Sequence, residues 1–150
     1  MALWRLYYHL VWGTRERHPL IKPCIERRLY DYIIGKAQAL GCIIHAIGGT
    51  EDHVHVAASI PPKIPIADFV KSVKGASAHH LNCNVAETLN KFGWQRGYGV
   101  FSLGRKQLDD AIAYIQNQKA HHQQGTVLLA LERDTDEDDG PQIHSSGLMM

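Results

Sequence analysis

Apolar residues in this chain keep one of two periods, and the order in which those periods follow one another limits the fold to a few topologies. Over residues 3–12, LWRLYYHLVW, the side chains of Trp4, Leu6, Tyr8, Leu10 and Trp12 fall on one face and those of Arg5, Tyr7 and His9 on the other. That is the two-residue period of a strand with one buried side, reinforced by aromatic residues. Residues 23–40 change to helical spacing through Ile25, Leu29, Tyr32, Ile33, Ala37 and Leu40, with Pro23 suited to a first turn and Gly41 to a stop. Two strand-like runs follow, CIIHAIGG (42–49) and HVHVAASI (53–60), joined by a link short enough for a hairpin. Residues 66–82 are again helical, with Ile66, Phe69, Val70, Val73, Ser77 and Leu81 on one stripe. The aromatic, glycine-rich segment 92–104 reads as a twisted strand, Gly97 and Gly99 permitting a bulge or a close backbone approach. A last helix is expected over 106–123, with Leu108, Ile112 and Ile115 as its apolar face.

The order is β-α-β-β-α-β-α. Its first six elements match the ferredoxin-like split βαβ pattern, an α+β, RRM-like antiparallel sheet. In that topology the first and third strands are central neighbours and two helices cover one face. The seventh element is free to cover the other face. Residues 1–125 are thus expected to form one domain. Residues 126–150 are polar and acidic, and are expected to be a disordered tail.

Composition narrows the setting. No apolar run approaches 18 residues, so no membrane span is expected. Three widely spaced cysteines, Cys24, Cys42 and Cys83, suit reduced thiols in a cytoplasmic protein. Residues 1–125 carry fifteen Lys/Arg against nine Asp/Glu, while the last 25 carry one Arg against six acids. A basic body suits a phosphate-rich partner, although an ordinary solvated surface accounts for the charge equally well.

The pair His53 and His55 is the first candidate site. Separated by one residue on a strand, they share a face, while Val54 and Val56 point the other way into the core. Two neutral imidazoles on a rigid strand make half of a transition-metal site. The local pattern by itself is also that of two half-buried structural histidines. Tyr114 and Gln118 are four residues apart on the last helix, hence one turn apart on one face. Gln offers a neutral oxygen acceptor and Tyr a phenol able to act as a nucleophile. His9, on the same face as the pair, is a candidate base for that phenol or a hydrogen-bonded structural histidine.

These stretches together resemble a known family. HVHV after an acidic turn, WQRGYGVFSLG and AIAYIQNQKAHH, with YYHLVWGTRER and FVKSVKGASAHHLN, are similar to the single-tyrosine HUH transposases of bacterial insertion sequences, including REP-associated tyrosine transposases. The resemblance covers roughly residues 5–124. It implies that His53, His55 and Gln118 hold a divalent ion, Mg²⁺ or Mn²⁺. It implies that Tyr114 attacks a phosphodiester of single-stranded, hairpin-containing DNA, forming a 5′-phosphotyrosine that a second 3′-hydroxyl resolves. It further implies a cytoplasmic bacterial homodimer, with Tyr114 acting within its own protomer or across the pair. After HH the chain runs QQGTVLLALERDTDEDDG, where relatives continue with a longer Lys- and Glu-rich helix.

Arg15, Arg17, Lys71, Lys74, Arg96 and Arg105 are the basic candidates for DNA contact, and Trp94 and Tyr98 could stack on unpaired bases, though both also suit a core. Two other functions fit the same residues. One is a non-catalytic RRM-like nucleic-acid-binding domain. The other is a metal-dependent phosphodiester hydrolase using water in place of Tyr114.

Overall fold

The computed structural model describes residues 2–85, 91–120 and 140–141. Its elements are β1 (Tyr7–Gly13), α1 (Pro23–Ala39), β2 (Ile43–Gly49), β3 (His53–Ser59), α2 (Ile66–Asn84), β4 (Gly99–Leu103) and α3 (Arg105–Gln116), with a short 3-10 turn at Arg15–Arg17. The four strands form one antiparallel sheet in the order β2-β3-β1-β4. β1 and β3 are the central pair, as the order of periods requires.

The sheet separates two apolar layers. On one side Leu10 and Trp12 of β1 and Val54, Val56 and Ala58 of β3 meet Ile25, Leu29 and Ile33 of α1 and Phe69, Val70 and Val73 of α2. Most of these side chains are wholly removed from water, and each large one contributes roughly 1.5–3 kcal/mol of transfer free energy. On the other side α3 lays Leu108 and Ile115 against Ala46 and Ala57. Its buried face is Leu108, Ala111, Tyr114 and Ile115. Ile112, expected on that face, is only partly covered and packs at its margin.

Several boundaries differ from the sequence reading for reasons of partnership. The alternation of residues 3–12 continues N-terminal to β1, but the strand begins at Tyr7. Tyr7 pairs with Leu103, the last residue of β4, and Tyr8 with Ala58, near the end of β3. Residues before Tyr7 therefore have no strand to join, and Leu3 is exposed. The segment 92–104 is a strand only from Gly99. Phe92 is buried and Trp94 packs between Phe92 and Trp12, with one isolated bridge from Trp94 to Thr14. Gly97 then turns the chain in the left-handed region at φ 87°, a conformation that costs glycine little. α3 closes at Asn117, whose N–H reaches the Ala113 and Tyr114 carbonyls at 3.2 and 3.3 Å. Residues 118–120 resume helical geometry. Residues 121–123 of the expected helix, and nearly all of the expected tail, lie outside the described residues. Among the described residues no helix is long and apolar enough to cross a membrane. The three cysteines are free, and Cys42 is the buried one.

Candidate functional site

The α3-facing side of the sheet carries the histidines. Alternation sends His9 from β1 and His53 and His55 from β3 to that side, and all three are buried. His9 pairs with Ala57 and Val11 with His55, so His9 and His55 are diagonal neighbours across the central pair. Their rings meet edge to face at 5.0 Å, with His9 Nε2 2.8 Å from His55 Nδ1. His53 and His55 rings lie 5.0 Å apart.

α3 and the helical residues 118–120 that follow it bring the remaining groups. Tyr114 is 6% exposed and Gln118 1% exposed. The Tyr114 ring centroid is 6.0 Å from that of His55 and 6.3 Å from that of His9, all within one chain. Gln118 Oε1 lies 3.4 Å from His53 Nε2. The helix comes this close because β2 presents glycine beneath it. Gly48 pairs with His55, and a Cβ on Gly48 would run into the Ile115 carbonyl. The stretch just beyond α3 is tied to α1 by Lys119, which donates to Glu26 at 2.6 Å. Beside that tie a cavity of about 340 Å³ opens between Tyr30, Gly48 and Gln118. Burial, then the nearby Glu26 carboxylate, holds the Tyr30 phenol above its ordinary range.

The turn before β3 orients His53. Its Nδ1 is 2.8 Å from Asp52 Oδ1 and 2.9 Å from Thr50 Oγ1. The Thr50 hydroxyl donates to the same carboxylate oxygen at 3.2 Å, and the Arg17 guanidinium stands 3.6 Å from it. A carboxylate only accepts, so Nδ1 carries a proton, and in the neutral imidazole Nε2 is then left with the lone pair. That lone pair faces Gln118 Oε1. In that neutral form the two atoms, 3.4 Å apart, are spaced to suit neighbouring ligands of one octahedral ion, which at ligand distances of about 2.1 Å lie about 3 Å apart. Among the described residues no three His, Cys, Asp or Glu side chains converge as a metal group. The neutral amide of Gln118 would be the third donor beside the histidine pair, and such a donor set would fit a divalent cation of intermediate hardness.

The model of the family described as "Transposase IS200 like" matches residues 2–118. This chain belongs to the IS200-like transposase family. As an IS200-like transposase it is a member of a family of DNA-processing enzymes. Over 120 residues it is 28% identical to the ISDra2 transposase TnpA of Deinococcus radiodurans, an alignment covering 77% of this chain and 86% of that protein. A crystal structure of a candidate transposase from D. radiodurans R1 superposes with a TM-score of 0.62 at 28% identity, over 78% of this chain and 93% of that one. A REP-associated tyrosine transposase bound to a REP hairpin shares the fold, with a TM-score of 0.59 at 17% identity, over 85% of this chain and 76% of that one.

In this IS200-like transposase the six basic candidates separate into three groups. Arg15, Lys71, Lys74 and Arg96 line a cavity of about 500 Å³ between α2 and residues 91–98, on the far side of the sheet from the histidines. Lys74 also holds this segment in place, donating to the Gln95 and Gly97 carbonyls at 2.6 and 2.9 Å. Trp94 and Tyr98 line the same cavity, and the Trp94 indole N–H donates to Ser77 Oγ at 3.0 Å. Arg17 stands beside Asp52. It and Glu16 both adopt left-handed backbone, at φ 56° and 54°, unusual for side-chain-bearing residues. Arg105 opens α3, 3.7 Å from Asp109.

Sequence reasoning missed Asp52, Thr50 and Gly48. The available signals were an acid directly before the histidine pair, in a turn that folds back on it, and a GG pair ending the preceding strand.

Proposed function

We propose that this transposase cleaves and rejoins single-stranded DNA by transesterification through Tyr114. One observation carries the reading: the ring of the buried Tyr114 on α3 has its centroid 6.0 Å from that of His55, one of the paired imidazoles of its own chain. This proximity supports Tyr114 acting within its own protomer, in a homodimer that the family resemblance implies. His53, His55 and Gln118 would hold the Mg²⁺ or Mn²⁺ ion. Bound there, such an ion supplies positive charge to a phosphate oxygen and to the departing 3′ oxygen.

The chain's own residues do the rest. Two imidazoles and an amide bring no negative charge, so these donors would leave the charge of an ion available to DNA phosphate. Tyr114 attacks phosphorus through its phenolic oxygen. The bond to the 3′ oxygen breaks, the departing strand takes up a proton as a 3′-hydroxyl, and the 5′-phosphate stays esterified to Tyr114. A second 3′-hydroxyl then attacks the same phosphorus and releases the phenol. One ester bond forms for each broken, so no energy source is consumed, and the reaction divides into two covalent steps. A phenol of pKa about 10 must lose its proton at neutral pH. His9 is near enough to be considered as the base, but its Nε2 is engaged by His55, which favours a structural part. The cavity holding Arg15, Lys71 and Arg96, with Trp94 and Tyr98 beside them, has the charges and ring faces that suit a hairpin-containing DNA strand.

The test is incubation with labelled single-stranded hairpin DNA and Mn²⁺ or Mg²⁺. A denaturation-resistant protein–DNA adduct, absent from Tyr114→Phe, is the expected result. Cleavage without an adduct would replace the proposal with a hydrolase. Binding alone, unchanged in Tyr114→Phe, would replace it with a non-catalytic RRM-like module.

A further inference from the structure

We infer that His9 and Asp52 are a matched pair of positioning residues. Each accepts the Nδ1 proton of one metal-binding histidine, so that His53 turns an Nε2 lone pair towards Gln118 and His55 keeps its Nε2 lone pair for the same ion. The inference rests on the metal site proposed above and concerns what sets its donor atoms.

Asp52 acts on His53. Its carboxylate oxygen is 2.8 Å from Nδ1 and is itself steadied by the Thr50 hydroxyl and by Arg17. Arg17 reaches it from a turn with two residues in left-handed backbone, and its side chain lies where a Cβ on Gly13 would crowd it. Gly13 is the residue opposite His53 across β1 and β3.

His9 acts on His55. The contact between His9 Nε2 and His55 Nδ1, 2.8 Å, needs one donor and one acceptor. Were His9 the donor, the neutral His55 would carry its proton on Nε2 and offer the site an N–H, which cannot bind a cation. With His55 as the donor, His9 holds its own proton on Nδ1, and both His53 and His55 present Nε2 lone pairs. Ligating histidines depend on such partners at the other ring nitrogen for tautomer, orientation and basicity. The partner of His55 is an imidazole from a neighbouring strand, buried and in a T-shaped contact with Phe101, ring centroids 6.3 Å apart.

The experiment joins ¹⁵N NMR of the metal-free protein, which distinguishes imidazole tautomers, with Mn²⁺ titration by electron paramagnetic resonance. His53, His55 and His9 are expected as Nδ1–H tautomers. His9→Phe and Asp52→Ala are each expected to weaken Mn²⁺ binding by about 10- to 100-fold. His9→Gln and Asp52→Asn, which keep an acceptor oxygen, are expected to recover most of that loss. Thermal melting verifies that each variant is folded, and for one that is not, the tautomers of the unmodified protein decide. An Nε2–H tautomer at His53 or His55, or wild-type Mn²⁺ affinity in folded His9→Phe or Asp52→Ala, would overturn the inference. If the unmodified protein binds no Mn²⁺ yet shows the expected tautomers, the metal site fails while the positioning stands.

Discussion

Gly48 lies directly beneath the main-chain carbonyl of Ile115, and the space between strand and helix has no room for a methyl group. The contact sets how closely α3 approaches β3, because Gly48 pairs with His55 and Ile115 follows Tyr114. The distance from phenol to imidazole is therefore governed by a residue with no side chain.

Gly48→Ala should push α3 outward. The expected cost is about 1–3 kcal/mol of stability, the range for an overpacked contact. Adduct yield with hairpin DNA should fall by about 10-fold or more, since a 1 Å misplacement of reacting groups can cost about 100-fold. Urea melts and a gel assay check the two effects. Unchanged activity would mean that α3 is not held by this contact.

Gly35→Ala should do the opposite. Gly35 lies within α1, is exposed, and a Cβ there would meet nothing within 4 Å. Alanine is favoured over glycine in a helix by roughly 0.5–1 kcal/mol. The midpoint of urea unfolding should rise by a corresponding amount with adduct yield unchanged.

Lys71→Ala and Arg96→Ala should weaken DNA binding without altering the melt. If each removes one phosphate contact, the slope of log affinity against log salt becomes shallower by about 0.7 for single-stranded DNA. Lys74→Ala should differ, because its ammonium also bonds the Gln95 and Gly97 carbonyls. It should lower the melting temperature as well as the affinity. Binding titrations at several salt concentrations separate the three.

His45 should give stability a pH dependence. It is the bulged residue of β2, between Ile44 and Ala46, and its Nε2 is 2.7 Å from Ser59 Oγ. Burial, and secondarily the Arg105 charge, holds its pKa below the ordinary 6.5. The unfolded chain therefore takes up a proton more readily than the folded one. Stability from this group is full above the unfolded value of about 6.5 and declines as pH falls from there towards the folded value. His45→Gln should show a smaller loss of stability between pH 7.5 and pH 5 than the unmodified protein, measured by urea unfolding at both.

The sequence by itself determined whatever depends on near neighbours along the chain. A two-residue period places His53 and His55 together and Val54 and Val56 opposite, and the structure keeps both arrangements. A four-residue interval sets Tyr114 and Gln118 close together, and both are buried although the helix is interrupted at Asn117 between them. Gly41 stops α1 with a φ of 81°, as a residue without a Cβ is able to do. These outcomes follow from backbone geometry repeated at short range.

Tertiary structure decided the rest, because strand register and helix approach join residues far apart in sequence. The diagonal contact of His9 with His55 spans 46 positions, and no local period encodes it. The start of β1 at Tyr7 was set by where β3 and β4 end, although the alternation itself runs on. The turn of Asp52 onto His53 and the passage of α3 over Gly48 arise only once the hairpin closes and the helix docks. Six basic residues are alike in sequence, yet packing lines a cavity with four, brings one to a carboxylate and leaves one at a helix start. Charge and period assign a residue to a face, and only the packed chain assigns it a partner.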